Sequence, residues 1–147
     1  MFKKSFLKKL SLFLSIMSIS LVFLAPLASA ANPNDNSITI QGTSKPDTAW
    51  NWSKGAYHFS GRTMETTLYS NYYFTNASQV RITVTNSMGN TTIKVLKSQI
   101  GIDFAVSSCE LQAGQSATWT VALEPDRNYI LKFSPMADFE GTIEKLA

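Results

Sequence analysis

The sequence is poor in the residues that small enzymes use for catalysis. It has one cysteine, Cys109, and one histidine, His58, among 147 residues. A zinc site requires three or four histidine, cysteine or carboxylate ligands at short spacing, and no stretch of the sequence offers such a set. A G-x-S-x-G sequence and a phosphate-binding glycine loop are also missing. We therefore predict that the protein is not an enzyme and that it uses no metal and no other cofactor.

Only one nucleophile could be paired with a base. The chain order His58, Cys109, Arg127 resembles that of exported cysteine transpeptidases of the sortase kind, but their cysteine follows T-L-x-T and Cys109 follows A-V-S-S. A reactive thiolate needs a neighbouring cation, whereas Glu110 is an anion. A cysteine transpeptidase-like enzyme is therefore the least favoured function. We expect Cys109 to be a partly buried residue near a strand end, or else to link two chains through a disulfide.

Long apolar runs are missing except at the N-terminus. Four lysines among the first nine residues precede an apolar run at 10–24, which is followed by Pro26 and the small triplet Ala28-Ser-Ala30. This order predicts a secretory signal peptide at residues 1–30, cleaved after Ala30. We therefore predict a secreted, extracellular protein. In the mature chain we predict no membrane span, because no later segment is long and apolar enough.

Excess positive charge is missing once this leader is removed. The whole chain carries a net charge of +3, but four of its 13 basic residues lie in the leader, whereas all 10 acidic residues follow it. The mature chain therefore has a net charge of about −1, which predicts no nucleic-acid partner. Its length of about 117 residues is enough for one domain with its own core.

Period-two alternation of apolar and polar residues dominates the mature chain after a polar, flexible lead-in at 31–37. Such alternation is typical of half-buried β-strands, and no segment shows a capped helical repeat. The run 80–84, the turn residues 86–90 and the run 91–97 together predict a β-hairpin. In the next run we expect Ile102, Phe104 and Val106 to point inward.

The spacing of these runs predicts the fold class. Seven to nine short strands, separated by turns rich in glycine, proline and asparagine, are typical of all-β sandwiches. We predict a single-domain antiparallel β-sandwich, jelly-roll or immunoglobulin-like, over residues 38–147.

One family resemblance supports the jelly-roll alternative. An aromatic stretch at Tyr72-Tyr-Phe-Thr75 leads into the V-x-I-x-V strand at 80–84, and a passage from Leu123 to Phe133 precedes Gly141-Thr-Ile143. This order resembles the bacterial pre-peptidase C-terminal type of jelly-roll domain, and also small exported proteins of Gram-positive bacteria of unknown function. The resemblance implies a bacterial jelly-roll sandwich that serves as an accessory module beside a secreted enzyme.

Aromatic residues are concentrated in the segment 50–74, which contains eight of them. Strands direct every second side chain outward, so we expect part of this set to be exposed and to stack on a ligand, for example on the C–H faces of sugars. The alternative is that Trp50 and Trp52 close one end of the sandwich. The predicted binding residues are Trp50, Trp52, Tyr57 and Tyr73.

These observations predict a secreted, non-enzymatic binding module that acts at or outside the cell surface. Its expected partner is an extracellular ligand, either a polysaccharide or a cell-surface protein. One alternative is a bacteriocin-like or pore-forming antagonist, because the tract 69–73 is similar to segments of some bacteriocins; a charge near −1 gives it no attraction to anionic membranes. Another alternative is a surface subunit that associates through edge strands.

Overall fold

The computed structural model describes residues 37–147. The predicted signal peptide, 1–30, and residues 31–36 of the predicted lead-in lie outside the described residues. Among residues 37–147, no helix is long and apolar enough to cross a bilayer.

Nine strands and one short 3-10 turn, Trp52–Lys54, form the described part of the chain. The predicted all-β class is confirmed, at the upper end of the predicted strand number. The strands are β1 (Ile38–Ile40), β2 (Tyr57–Thr63), β3 (Leu68–Tyr69), β4 (Gln79–Met88), β5 (Thr91–Gln99), β6 (Ile102–Leu111), β7 (Gln115–Ala122), β8 (Asn128–Phe133) and β9 (Ala137–Lys145).

The strands form two sheets that pack face to face. The first sheet has the order β1-β2-β9-β4-β7 and the second has the order β3-β8-β5-β6. Every pairing is antiparallel except that of β1 with β2. Without β1, the eight remaining strands have the two four-stranded sheets of a jelly roll, rather than the seven-stranded arrangement of an immunoglobulin constant domain.

Alternating side chains from both sheets form the core, as the period-two pattern predicts. In β4 the buried residues are Val80, Ile82 and Val84, and in β8 the buried inward residues are Tyr129, Leu131 and Phe133. The residues between the first three are exposed or half-buried. These strands therefore have one apolar face and one wetter face because their polar residues occupy every second position.

The predicted hairpin of β4 and β5 is wrong. Strand β4 belongs to the first sheet and β5 to the second, so the chain crosses between the sheets at Gly89 instead of turning back. The buried side chain of Asn86 stabilises this corner: its amide donates to the carbonyls of Gly89 and Leu111, and its Oδ1 accepts from Asp138 N. Alternation and turn residues are the same for a hairpin and a crossing, so the pattern could not separate them.

Ile102 and Phe104 lie on the core-facing side of β6, because Phe104 is in register with Lys97 and, across β5, with the buried Tyr129. The expectation that this run is buried is wrong, since Ile102, Phe104 and Val106 are 59%, 50% and 43% exposed. A β-bulge at Val106 lets Ser107 and Cys109 continue the side of β6 that faces the core. Ser107 Oγ accepts a hydrogen bond from Trp119 Nε1 of the opposite sheet at 3.1 Å. The part of β6 before the bulge lies nearer the hairpin tip, where it is not covered.

Two glycines accommodate two phenylalanine rings where β2 pairs with β9. Phe59 lies opposite Gly141, and Gly61 lies opposite Phe139. A Cβ atom at Gly61 would lie 2.6 Å from the Phe139 ring, and one at Gly141 would lie 2.7 Å from the Phe59 ring. Each ring therefore occupies the space above the glycine of the partner strand. Phe139 also stacks on Phe133 of the second sheet, with ring centroids 3.9 Å apart.

Residues 41–49 form a strap across the outer face of the second sheet. The strap pairs with β3 at Gly42 and its Lys45 forms an ion pair with Asp103 of β6, the opposite edge of the sheet. Between these edges, Leu96 and Ile130 are neighbours in register and are buried, although they do not belong to the core between the sheets. Both residues therefore lie on the outer face of the second sheet, the face that the strap crosses.

Gly61→Ala tests the contact between Gly61 and Phe139. We expect it to lower the free energy of unfolding by about 1–3 kcal/mol, because the added methyl group overpacks the core. In a Phe139→Leu background the same change should cost at least about 1 kcal/mol less, because the ring that it meets is gone. Chemical denaturation of the four proteins measures this coupling.

Gly114→Ala is the matched control. Gly114 has a φ of +80° and no atom within 4 Å of an added Cβ, so its cost of about 1–2 kcal/mol comes from the backbone alone. That cost should be the same in both backgrounds. Equal costs of Gly61→Ala in the two backgrounds would contradict the predicted contact.

Candidate interaction surface

Two of the four predicted binding residues are in the core. Tyr57 is fully buried and Trp50 is 9% exposed. Trp50 Nε1 donates to the Gly55 carbonyl at 3.1 Å, and Lys54 Nζ lies 5.8 Å from the centroid of the Trp50 ring. Neither ring therefore offers a face on which a ligand could stack, which corrects the expectation that these rings are exposed.

The other two predicted residues are half-buried. Trp52 packs against the core, 5.7 Å from Phe74 between ring centroids, and its Nε1 donates to the Thr75 carbonyl at 2.8 Å. Tyr73 forms a bridge with Ala49 of the strap and makes none of the aromatic ring contacts within residues 37–147. The structure therefore joins Trp50, Trp52 and Tyr57 in one aromatic cluster with Tyr72 and Phe74, and it leaves Tyr73 apart.

This aromatic cluster corresponds to the alternative in which the tryptophans close the sandwich. Its rings are 5.1–5.9 Å apart between centroids, in edge-to-face and tilted arrangements. Such pairs add stability beyond the area that they bury. The aromatic-rich segment therefore has a structural role that a ligand is not needed to explain.

His58 and Cys109 lie on different sheets. His58 projects from the outer face of β2 into solvent, whereas Cys109 of β6 faces the core. In the first sheet, β9 and β4 separate β2 from β7, and β7 is the strand that β6 approaches through the Trp119 hydrogen bond. At about 4.8 Å per strand, the two residues are too far apart for direct proton transfer. Burial, and secondarily Glu110, raises the pKa of the Cys109 thiol.

An apolar surface on the β5–β6 hairpin is the largest departure from the predicted pattern. Ile100 at the tip is fully exposed, and Ile102, Phe104 and Val106 of β6 follow it. Soluble proteins seldom expose several large apolar side chains side by side, and such patches commonly mark interaction sites. We refer to these four residues as the apolar edge.

A groove of about 590 Å³ borders the apolar edge. Ile100, Ile102 and Phe104 line one side, and the loop between β7 and β8 lines the other with Asp126 and Arg127. At the base of this loop, Glu124 accepts from Lys97 Nζ and also contacts Arg127, and the pKa of Glu124 is lowered chiefly by Lys97. An apolar centre with a polar rim is the usual composition of a protein-binding surface.

The apolar edge lies on a strand with one unpaired side. Among residues 37–147, β6 forms a strand ladder with β5 only and is the last strand of the second sheet. The opposite edges, β1 and β3, have three and two residues, whereas β6 has ten. A long unpaired edge offers free N–H and C=O groups to another extended chain.

Alternation in the sequence does not indicate the exposed Ile100, and it predicts burial for the other three residues of the apolar edge, which are exposed. One signal was present: Ile100 and Ile102 flank Gly101, which has a φ of +74°. Turns are usually polar, so isoleucine on both sides of a turn glycine indicates exposed apolar surface. The bulge at Val106 left no comparable signal in the sequence.

Comparisons with known proteins assign no family to this arrangement. No protein-family model matches the chain, and no curated protein sequence is similar to it. Within residues 37–147 no group of three histidine, cysteine or carboxylate side chains could hold a metal ion. The resemblance to pre-peptidase C-terminal domains stays a prediction.

Tyr57→Phe tests whether the aromatic cluster is purely structural. Tyr57 Oη is buried and makes no hydrogen bond of good geometry among residues 37–147, although the backbone of Asn71 lies close enough to oppose the rise of its pKa. We expect removal of this hydroxyl to leave the free energy of unfolding at pH 7 unchanged or to raise it by up to about 1 kcal/mol. Tyr129→Phe is the control, because Tyr129 Oη accepts from Glu124 N at 2.8 Å. Loss of the Tyr129 hydroxyl should lower the free energy of unfolding by about 1 kcal/mol. An equal decrease for Tyr57→Phe would show that Tyr57 Oη does have a hydrogen-bond partner.

The same variant should change the stability at high pH. Burial raises the pKa of Tyr57 to about 12, whereas an unfolded tyrosine titrates near 10. The unfolded chain therefore loses this proton first, and the contribution of Tyr57 to stability falls as the pH rises from about 10 to 12. Denaturation curves across this range should decline less steeply for Tyr57→Phe than for the wild-type protein.

The orientation of Cys109 predicts slow reaction of its thiol. At pH 8 we expect a thiol reagent to modify native Cys109 at least about 10-fold more slowly than the denatured chain, because the thiolate is disfavoured and access is limited. Val106→Cys in a Cys109→Ala background is the exposed control and should react at nearly the denatured rate. Equal rates for native and denatured Cys109 would show that the thiol is accessible and available for disulfide formation.

Proposed function

We propose that the protein is a secreted, non-catalytic binding module that acts at or outside the cell surface and binds another polypeptide through the apolar edge. The observation that carries this proposal is the exposure of Ile100, Ile102, Phe104 and Val106 along one strand and its turn. Burying such side chains against a partner gains roughly 25 cal/mol per Å² of apolar surface. Scattered exposed apolar residues need no explanation, but four in seven positions do.

A polypeptide fits this surface better than a polysaccharide does. Sugars are held by flat aromatic rings with an exposed face and by polar side chains. Trp50 and Tyr57 are buried in the aromatic cluster, whereas the apolar edge has three aliphatic residues and one phenylalanine. Aliphatic side chains find their best complement in the apolar side chains of another protein.

The backbone of β6 supports the same partner class. An added strand would form main-chain hydrogen bonds with the free side of β6, and its alternate side chains would contact Ile102 and Phe104. The adjacent groove, with Asp126 and Arg127 at its rim, would receive side chains that extend past the edge. Main-chain bonds give affinity in this binding mode, and the groove gives selectivity.

Site-specific photo-crosslinking on cells that produce the protein tests this function. A benzophenone amino acid at position 104, in the protein expressed from its complete coding sequence, should give an adduct with a polypeptide at the cell exterior. The same amino acid at the exposed position Thr120, on the outer face of β7, is the control and should give at least about 10-fold less adduct.

Competition with unlabelled protein sharpens the result. Wild-type protein should suppress the adduct, and Ile102→Asp should need at least about a 10-fold higher concentration, because its charge would be desolvated against an apolar partner. An adduct with polysaccharide or lipid at position 104 would contradict a polypeptide partner. Equal adducts at positions 104 and 120 would show that the apolar edge is not the binding surface.

A further inference from the structure

We propose that the partner at the apolar edge is a second copy of this chain, paired through β6 in an antiparallel arrangement whose two-fold axis passes beside Phe104. The inference deepens the proposed function and rests on it. The pairing would join the two second sheets into one continuous eight-stranded sheet. Two-fold pairing of identical surfaces is the commonest way in which protein chains form dimers.

The distribution of charge along β6 favours this partner. Edge strands usually avoid pairing through exposed charges, above all lysine. Residues 102–106 have one charged residue, Asp103, and Lys45 of the strap binds its carboxylate on the outer face. The pairing segment therefore has a single carboxylate, which already has a cationic partner, and it repels an identical segment only where two copies of Asp103 face each other.

The positions of the side chains select one register. Alternation up to the bulge puts Ile102, Phe104 and Val106 on one side of β6. With the axis at Phe104, Ile102 lies opposite Val106 of the second copy, the two Phe104 rings meet, and Asp103 lies opposite Ala105. Aromatic and β-branched pairs directly opposite each other stabilise antiparallel strands.

The neighbouring registers are less favourable. An axis at Asp103 would put the two Asp103 carboxylates opposite each other, and like charges in that position destabilise paired strands. An axis at Ala105 would put Ile102 opposite Ser108 and would extend the pairing across the bulge at Val106, where the regular ladder is interrupted. The axis at Asp103 would also pair apolar residues, Ile102 with Phe104, so the facing carboxylates are what disfavour it. The axis at Phe104 avoids these facing carboxylates and does not extend past the bulge.

Among residues 37–147, strands long enough for this pairing lie at the edges on one side of the sandwich, where β6 and β7 are, and not on the side with β1 and β3. β1 and β3 close the opposite side with three and two residues, which are too few for a stable ladder. The dimer contact is one strand and its turn, so we expect a weak interface at the low end of the size range for specific complexes. Association should therefore depend on protein concentration in the micromolar range.

Disulfide crosslinking tests the register directly. All variants lack the native thiol through Cys109→Ala and are oxidised under mild conditions. Phe104→Cys alone should form a covalent dimer, because the two cysteines are then directly opposite each other and about 4.5–5.5 Å apart between Cα atoms. Ile102→Cys and Val106→Cys should each remain monomeric alone and should crosslink when the two proteins are mixed.

Thr83→Cys, on the outer face of the first sheet, is the control and should not crosslink. Sedimentation of the wild-type protein should show a concentration-dependent dimer, and Phe104→Glu should weaken it at least about 10-fold while its circular dichroism spectrum stays unchanged. Crosslinking of Ile102→Cys with itself, or equal crosslinking of Thr83→Cys, would overturn the proposed register.

The failure of this inference differs from the failure of the proposed function. A wild-type protein that stays monomeric up to several hundred micromolar, while position 104 still forms an adduct with a different polypeptide on cells, would exclude the second copy and leave the binding module. A protein that stays monomeric and also gives no adduct at position 104 would contradict both the dimer and the proposed binding function.

Discussion

The packing of Phe59 and Phe139 over the glycines of the opposite strand is the contact on which the sandwich depends most directly. It lies where β2 pairs with β9, and Phe139 continues it into the second sheet by stacking on Phe133. Because neither glycine position tolerates a Cβ, the two large rings and the two absent side chains require each other. The register of β2 against β9 is fixed by this fit as well as by hydrogen bonds, since a slip of β2 by one residue would turn Phe59 to the outer face.

The strand order places the short edge strands, β1 and β3, on one side of the molecule and the long edge strands, β6 and β7, on the other. On the side with β1 and β3, the edge strands are too short to pair with another chain, and the strap pairs with β3. On the side with β6 and β7, the edge strands have ten and eight residues. Trp119 seals the space between these two strands through its hydrogen bond to Ser107. The core is therefore protected there, yet the backbone edge of β6 and its apolar residues are not. The side with β6 and β7 therefore has more free backbone N–H and C=O groups than the side with β1 and β3.

The aromatic-rich segment and the apolar edge exchange the roles that composition alone assigns to them. Large rings such as those of Trp50 and Tyr57 resemble ligand-stacking residues in a sequence, but they pack against one another and close an end of the sandwich. Ile102, Phe104 and Val106 resemble core residues, but the part of β6 on which they lie is not covered. Period-two alternation says which residues share a face; it does not say whether another sheet covers that face. Only the second sheet, with its own length and position, decides this.

The sequence by itself determined the class of the fold, most of the strands and the composition of the core, because alternation and turn residues act over a few positions and leave a local signal. It also limited the chemistry, since one histidine and one cysteine offer few catalytic combinations. Only the tertiary structure decided that β4 crosses to the other sheet instead of pairing with β5, that the tryptophans close the sandwich and that the apolar surface lies on β6. These features depend on contacts between residues far apart in the chain, such as Asn86 with Leu111 and Ser107 with Trp119, and a local pattern has no information about which distant strand will provide the other half of a contact.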